Sequence, residues 1–134
     1  MKKLIYLSLL TLALASCEKE ENPSLIDGTY SGTFRTVVNK KQQISDFEVS
    51  LNERRFVTNK GGAGLGPFEL GPRNKVKFAD ELFYTANFDW NTILTGEYTY
   101  QKKGDSLILD KVIALPTSGT DAATYYQYRL KKIK

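Results

Sequence analysis

The chain has 134 residues, a quarter of them charged, with ten Gly, four Pro, one Cys and no His. That balance excludes a disordered polyelectrolyte, a collagen-like repeat and a disulfide-stapled mini-protein. The formal charge of +4 falls to +2 without Lys2 and Lys3 (17 basic against 15 acidic residues), so the basicity does not argue for a nucleic-acid partner.

Lys2 and Lys3 lead into an apolar run over residues 4–14. The run is shorter than the roughly 20 residues a membrane-spanning helix needs, and its basic–apolar–small order is that of a secretory signal peptide. Its end, Leu14-Ala15-Ser16-Cys17, resembles the bacterial lipobox. The resemblance implies that residues 1–16 are removed and that Cys17 becomes the acylated first residue, anchoring the protein to a membrane. Acyl chains hold at about 0.8 kcal/mol per buried CH₂. With the only thiol acylated no intrachain disulfide is left, and the core alone must hold one domain over residues 25–134. Residues 17–24 read as a polar tether. Their acidic cluster, Glu18-Lys19-Glu20-Glu21, resembles the export signal of Bacteroidota surface lipoproteins. It implies an outer-membrane lipoprotein facing the cell surface, with the periplasmic face as the alternative.

From Gly28 on, the dominant period is two. Tyr30, Phe34, Thr36 and Val38 alternate with Thr29, Ser31, Thr33 and Arg35; Phe47, Val49 and Leu51 alternate with Glu48 and Ser50. Phe56 and Thr58 follow a turn at Asn52-Glu53, and Gly61 to Gly66 interrupts the pattern as a flexible hairpin tip. Phe68 and Leu70, a turn at Gly71-Pro72-Arg73-Asn74, and Val76 with Phe78 come next. The segment 80–95 lacks alternation and predicts one helical turn near 89–94, capped by Asp89. Tyr98, Tyr100, a turn at Lys103-Gly104-Asp105, Leu107 and Leu109 make a hairpin. Residues 114–123 are a loop, and Tyr126, Tyr128 and Leu130 mark the last strand. Eight short strands in series predict an all-β, up-and-down antiparallel barrel, with a Greek-key sandwich as the alternative. Closure requires Gly28–Val38 to pair with Thr124–Lys132.

Three segments carry a family resemblance: Asp27-Gly28-Thr29-Tyr30-Ser31-Gly32-Thr33-Phe34, residues 85–100 from Thr85-Ala86-Asn87-Phe88 to Tyr98-Thr99-Tyr100, and Tyr125-Tyr126-Gln127-Tyr128-Arg129-Leu130. They resemble small Bacteroidota lipoproteins with a lipocalin-like (calycin) barrel. Lipocalins open with Gly-x-Trp and set an Arg of the last strand across it. Here Gly28-Thr29-Tyr30 has Tyr in that place, and the resemblance makes Arg129 the partner of Tyr30 at the closure.

The chemistry on offer is narrow. Without His and with Cys17 acylated there is no His-based triad, thiol nucleophile or zinc site. Neither Asp80-Glu81 nor Asp89 with Glu97 has a spacing that singles out an acid–base pair. Asp89 and Asn91 do not complete a calcium loop, and Gly61–Gly66 lacks the Lys-Ser/Thr of a phosphate loop. The expectation is a protein that is not an enzyme, with no metal and no cofactor. Asp105-Ser106-Leu107 resembles a Bacteroidota O-glycosylation acceptor at Ser106. The aromatic residues are the informative ones. Most inward rings should fill the core, leaving at most a small cavity lined by Tyr hydroxyls. Tyr84, Phe88, Trp90, Tyr98, Tyr100, Tyr126 and Tyr128 are the candidates for contacting a small apolar or amphipathic ligand. The alternative is a filled barrel serving as an accessory subunit or inhibitor that binds an envelope protein through exposed loops.

Overall fold

The computed structural model describes residues 23–113 and 124–134. The signal-peptide, Cys17 and most of the tether expectations, and the loop at 114–123, lie outside the described residues. The strands are β1 (Gly28–Val38), β2 (Lys41–Asn52), β3 (Arg55–Lys60), β4 (Leu65–Gly71), β5 (Lys75–Phe78), β6 (Gly96–Lys103), β7 (Ser106–Lys111) and β8 (Tyr125–Lys132). Each pairs antiparallel with the next and β8 returns to β1, so the sheet is a closed up-and-down barrel. The closing seam runs from Tyr30↔Lys132 to Val37↔Tyr125. Closure pairs the first strand with the last, so neither is left as an edge of the sheet. The segment Gly28–Lys132 therefore contains its own core and its own strand partners.

The period of two becomes the inside and outside of the barrel. Tyr30, Phe34, Phe47, Phe56, Phe68, Phe78, Tyr98, Tyr100 and Tyr128 are buried, and Tyr126 is partly buried against them. Their rings form a connected chain across the interior. Phe34 stacks on Tyr128 at 4.2 Å, and Tyr128 lies 4.5 Å from Phe47 and 5.8 Å from Tyr98. Tyr98 meets Phe78 at 5.6 Å, and Phe78 meets Phe56 at 5.1 Å. An eight-stranded barrel is just wide enough to be filled this way. Burying each ring contributes about 1.5–3 kcal/mol, and well-placed ring pairs add about 0.5–1.5 kcal/mol.

The two ends differ. The β2–β3, β4–β5 and β6–β7 turns gather at one end with the 3₁₀ turn Pro23–Ile26. Leu25 is exposed, but Ile26 is fully buried and stops that end. The other end, the mouth, carries the β1–β2 turn, the Gly-rich β3–β4 connection and the long β5–β6 connection. Tight turns are made without glycine where two residues in left-handed conformation match the strand twist. Asn39-Lys40 and Glu53-Arg54 both do this, with φ between 48° and 64°.

Two expectations are corrected. Arg129 does not reach Tyr30. Buried Tyr128 and Leu130 flank it, so alternation turns it outward, where it pairs in register with Thr33 and its Nε donates to Gln127 Oε1 at 2.8 Å. Tyr30 sits toward the stoppered end opposite Lys132, and the cation near its ring is Lys102, with Nζ at 5.8 Å. The Gly-rich loop is no free tip. A Cβ on Gly62 would stand 2.7 Å from the Thr92 carbonyl oxygen and 2.9 Å from the Phe47 ring, so glycine is what lets the loop pack there. The helical turn lies where the sequence predicts it, as a 3₁₀ turn over Trp90–Thr92 with Asp89 as its cap.

Candidate functional site at the barrel mouth

The β5–β6 connection is bound down over the mouth by its own backbone. Ala79 N–H donates to the Pro67 carbonyl at 3.0 Å and Glu81 N–H to that of Leu65 at 2.9 Å. Asp80 Oδ1 accepts from Leu65 N–H at 3.1 Å and Leu82 N–H at 3.3 Å. Further on, Ala63 N–H donates to the Thr92 carbonyl and Leu94 N–H to that of Ala63, at 3.0 and 2.9 Å. Asp89 Oδ1 accepts from Asn91 N–H at 3.1 Å and caps the turn. Ile93 and Leu94 are buried beneath it.

This fastening holds Asp89, Asn91 and Thr92 facing β1 and β2. Between them lies a cavity of about 410 Å³, with Phe34 and Thr36 of β1 and Gln43 and Ile44 of β2 opposite the turn. Pockets for small molecules span roughly 300–1,000 Å³. Apolar Phe34 stands beside amide, hydroxyl and carboxylate groups, so the walls are amphipathic. Tyr126 ties two of them together. Its ring lies 6.2 Å from that of Phe34, nearly parallel, and its hydroxyl donates to Asn91 Oδ1 at 2.6 Å. Burial, and then the Asp89 carboxylate, push the Tyr126 hydroxyl pKa up. Across Tyr126, Lys111 brings its Nζ to 5.1 Å from the Tyr126 ring and 5.9 Å from that of Tyr98. Burial lowers the pKa of that ammonium.

A second aromatic group lies outside the barrel on the same connection. Tyr84 meets Phe88 at 4.6 Å and Trp90 at 5.7 Å. Burial and then the neighbouring Asp80 push the Tyr84 hydroxyl up to about 12. Phe83 beside it is fully exposed, and Leu82 and Trp90 are about half exposed.

The seven aromatic candidates therefore separate. Tyr98, Tyr100 and Tyr128 are core residues, all at most 5% exposed, rather than lining of an open cavity. Burial raises the hydroxyl pKa of both Tyr98 and Tyr128. Tyr126 belongs to the mouth, while Tyr84, Phe88 and Trp90 form the outer cluster. Sequence reasoning missed Thr36, Gln43, Ile44 and Lys111, and it placed Phe34 in the core only. Asn91 was visible only as a fragment of a calcium loop. The carboxylates have fold contacts of their own. Glu81 bridges Arg55 at 2.9 Å and Glu97 bridges Lys75 at 3.0 Å, both on the outer face. Among the described residues no three of His, Cys, Asp and Glu gather as metal ligands. Ser106 is exposed at the start of β7. Comparison with family models, curated proteins and solved structures gives no match.

Proposed function

We propose that this chain is an envelope-anchored lipoprotein whose lipocalin-like barrel binds a compact amphipathic molecule at its mouth, without catalysis. The observation that carries the proposal is the cavity of about 410 Å³ between Phe34, Ile44 and Asn91, at the end of an interior already filled by stacked rings. A ligand of this site would lie across the barrel end rather than along its axis. Its apolar part would contact Phe34, and its polar part Thr36, Gln43 and Asn91. A long acyl chain does not suit the site, because Phe34, Tyr128 and Phe47 occupy the axis below it. The lipobox-like Leu14-Ala15-Ser16-Cys17 supports the anchoring.

The single Trp of the chain, Trp90, sits in the turn that borders the cavity, between the lining residues Asp89 and Asn91, so its fluorescence is a nearby probe of occupancy. Titration with short-chain amphiphiles should change that emission saturably. Gln43→Asp, at a wall position in register with inward Thr36, should weaken binding about tenfold or more. Absence of any saturable response across such a series, or a response that Gln43→Asp leaves unchanged, would count against a ligand at the mouth.

A second use is favoured by the outer cluster. Fully exposed Phe83, with half-exposed Leu82 and Trp90, gives the same end an apolar contact surface for an envelope protein. Phe83→Ser should abolish such a contact while leaving the amphiphile titration unchanged, which separates the two uses.

A further inference from the structure

The end of the barrel opposite the mouth is basic. There the turns and strand ends carry Arg54, Arg73, Lys102, Lys103, Lys131 and Lys132 against Asp27, Glu53 and Asp105. Five of those six cations are exposed, and Lys102 is partly so. The ion pairs among the described residues use other cations, namely Arg55, Lys60 and Lys75. The mouth shows no such excess: Lys40, Lys41, Lys60 and Lys111 stand against Asp46, Asp80, Glu81 and Asp89. The barrel is thus polarised along its axis. The basic end is also where the chain enters the fold, at Pro23, beside the C-terminal residues of β8.

We infer that the basic, stoppered end of the barrel is a docking surface for an anionic lipid surface, and that docking points the mouth and Phe83 away from the membrane. Only five residues lie between Cys17 and Pro23, a reach of at most about 20 Å when fully extended. An acyl anchor on Cys17 would therefore deliver this end, and not the mouth, to the headgroups. The inference takes the anchoring from the proposed function, but the charge polarity stands without it. Basic residues near an anionic leaflet each strengthen binding about fivefold, and the attraction fades beyond a Debye length of about 8–10 Å. A lipid anchor together with a basic patch is the combination that makes membrane attachment stable.

The test uses the unacylated chain from Glu18 onward, since the closed barrel has its own core, and it reads cosedimentation with vesicles. Vesicles of phosphatidylcholine with about one third phosphatidylglycerol should bind the chain at low salt and release it near 0.5 M NaCl. Pure phosphatidylcholine should not bind it. Lys103→Gln with Lys131→Gln should weaken binding about 25-fold, whereas Lys40→Gln with Lys41→Gln, the same loss of charge at the mouth, should leave it within about twofold. Equal losses from the two pairs, or no binding to anionic vesicles, would overturn the inference. Binding that appears only when Glu18, Glu20 and Glu21 are all changed to Gln would also overturn it, because the acidic tether would then be the occupant of the basic end. As no acyl chain is present, a negative result here overturns the docking surface alone; the Cys17 anchor has a separate test, membrane fractionation of Cys17→Ala, in which release from the membrane is expected and unchanged association would refute the anchor.

Discussion

Gly32 offers the sharpest test of the barrel's closure. It lies in the middle of β1, opposite Phe47 of β2 on one side and Leu130 of β8 on the other. A Cβ at this position would fall well inside van der Waals contact of the Arg129 carbonyl oxygen, 2.9 Å from Leu130 Cα and 3.0 Å from the Arg129 carbonyl carbon. All three are backbone atoms of a paired strand, and none can rotate away. In Gly32→Ala the strands must part locally, halfway along the seam between Tyr30↔Lys132 and Val37↔Tyr125. Overpacking costs about 1–3 kcal/mol, and each weakened backbone hydrogen bond about 0.5–1.5 kcal/mol. With two such bonds affected, the expected loss is about 3–5 kcal/mol, a large part of the 5–15 kcal/mol typical of a domain. Urea unfolding should show it as a midpoint lower by roughly 1.5–3 M. Hydrogen exchange should quicken along β1 and β8 before β4 and β5. Gly104→Ala is the control: nothing lies within 4 Å of its Cβ, and only its φ of 53° opposes the change, so about 1 kcal/mol is expected. A Gly32→Ala variant within 0.5 kcal/mol of the parent would mean that β1 and β8 do not pair as described.

Ile26→Ala removes the stopper of the basic end and should cost about 2–5 kcal/mol, read by thermal or urea unfolding; a neutral result would place the start of the fold later. Asn91→Ala deletes the acceptor of the Tyr126 hydroxyl and should cost about 1–2 kcal/mol. In the double-mutant cycle with Tyr126→Phe the losses should not add, and additive losses would remove that bond. Burial, followed by Asp27 and Asp105, pushes the Tyr30 hydroxyl up to about 12 from an ordinary 10. The unfolded chain then ionises first, so the stability linked to Tyr30 is complete below pH 10 and is lost as pH rises from 10 to 12, by about 2–3 kcal/mol. Tyr30→Phe should flatten that part of an alkaline stability profile, and an unchanged slope would refute the assignment.

Much of the architecture was legible because a barrel states itself in a period of two. Phe47, Val49 and Leu51 point one way, and Glu48 and Ser50 the other, whatever strand lies beside them. The Tyr30–Arg129 contact failed on that same rule. Arg129 stands between Tyr128 and Leu130, and no closure register can turn it inward while both neighbours stay buried. Alternation fixed which face Arg129 shows, and a family pattern could not override it. The Gly-rich loop was misread for a different reason. Its glycines answer to Thr92 and Phe47, residues distant in sequence, and local composition says nothing of what packs against a loop.

The mouth was hidden by the feature that made the core visible. An aromatic residue on the inward face of a strand gives the same sequence signal whether it lines a cavity or fills one. In a barrel of eight strands, filling wins for most of the length: Tyr98, Tyr100 and Tyr128 are spent on packing. Open space arises where alternation stops and the rings run out. It lies between the top of β1, the start of β2 and a turn that approaches them only because Asp80 and Ala63 fasten the β5–β6 connection to β4 and the β3–β4 loop. Phe34, Ile44 and Asn91 share no spacing or period, and only this fastening makes them neighbours. Tyr126 marks the boundary, with its ring against the aromatic core and its hydroxyl on Asn91. A ligand at the mouth would be read by the residues just beyond that boundary, which are polar, partly exposed and unremarkable in sequence.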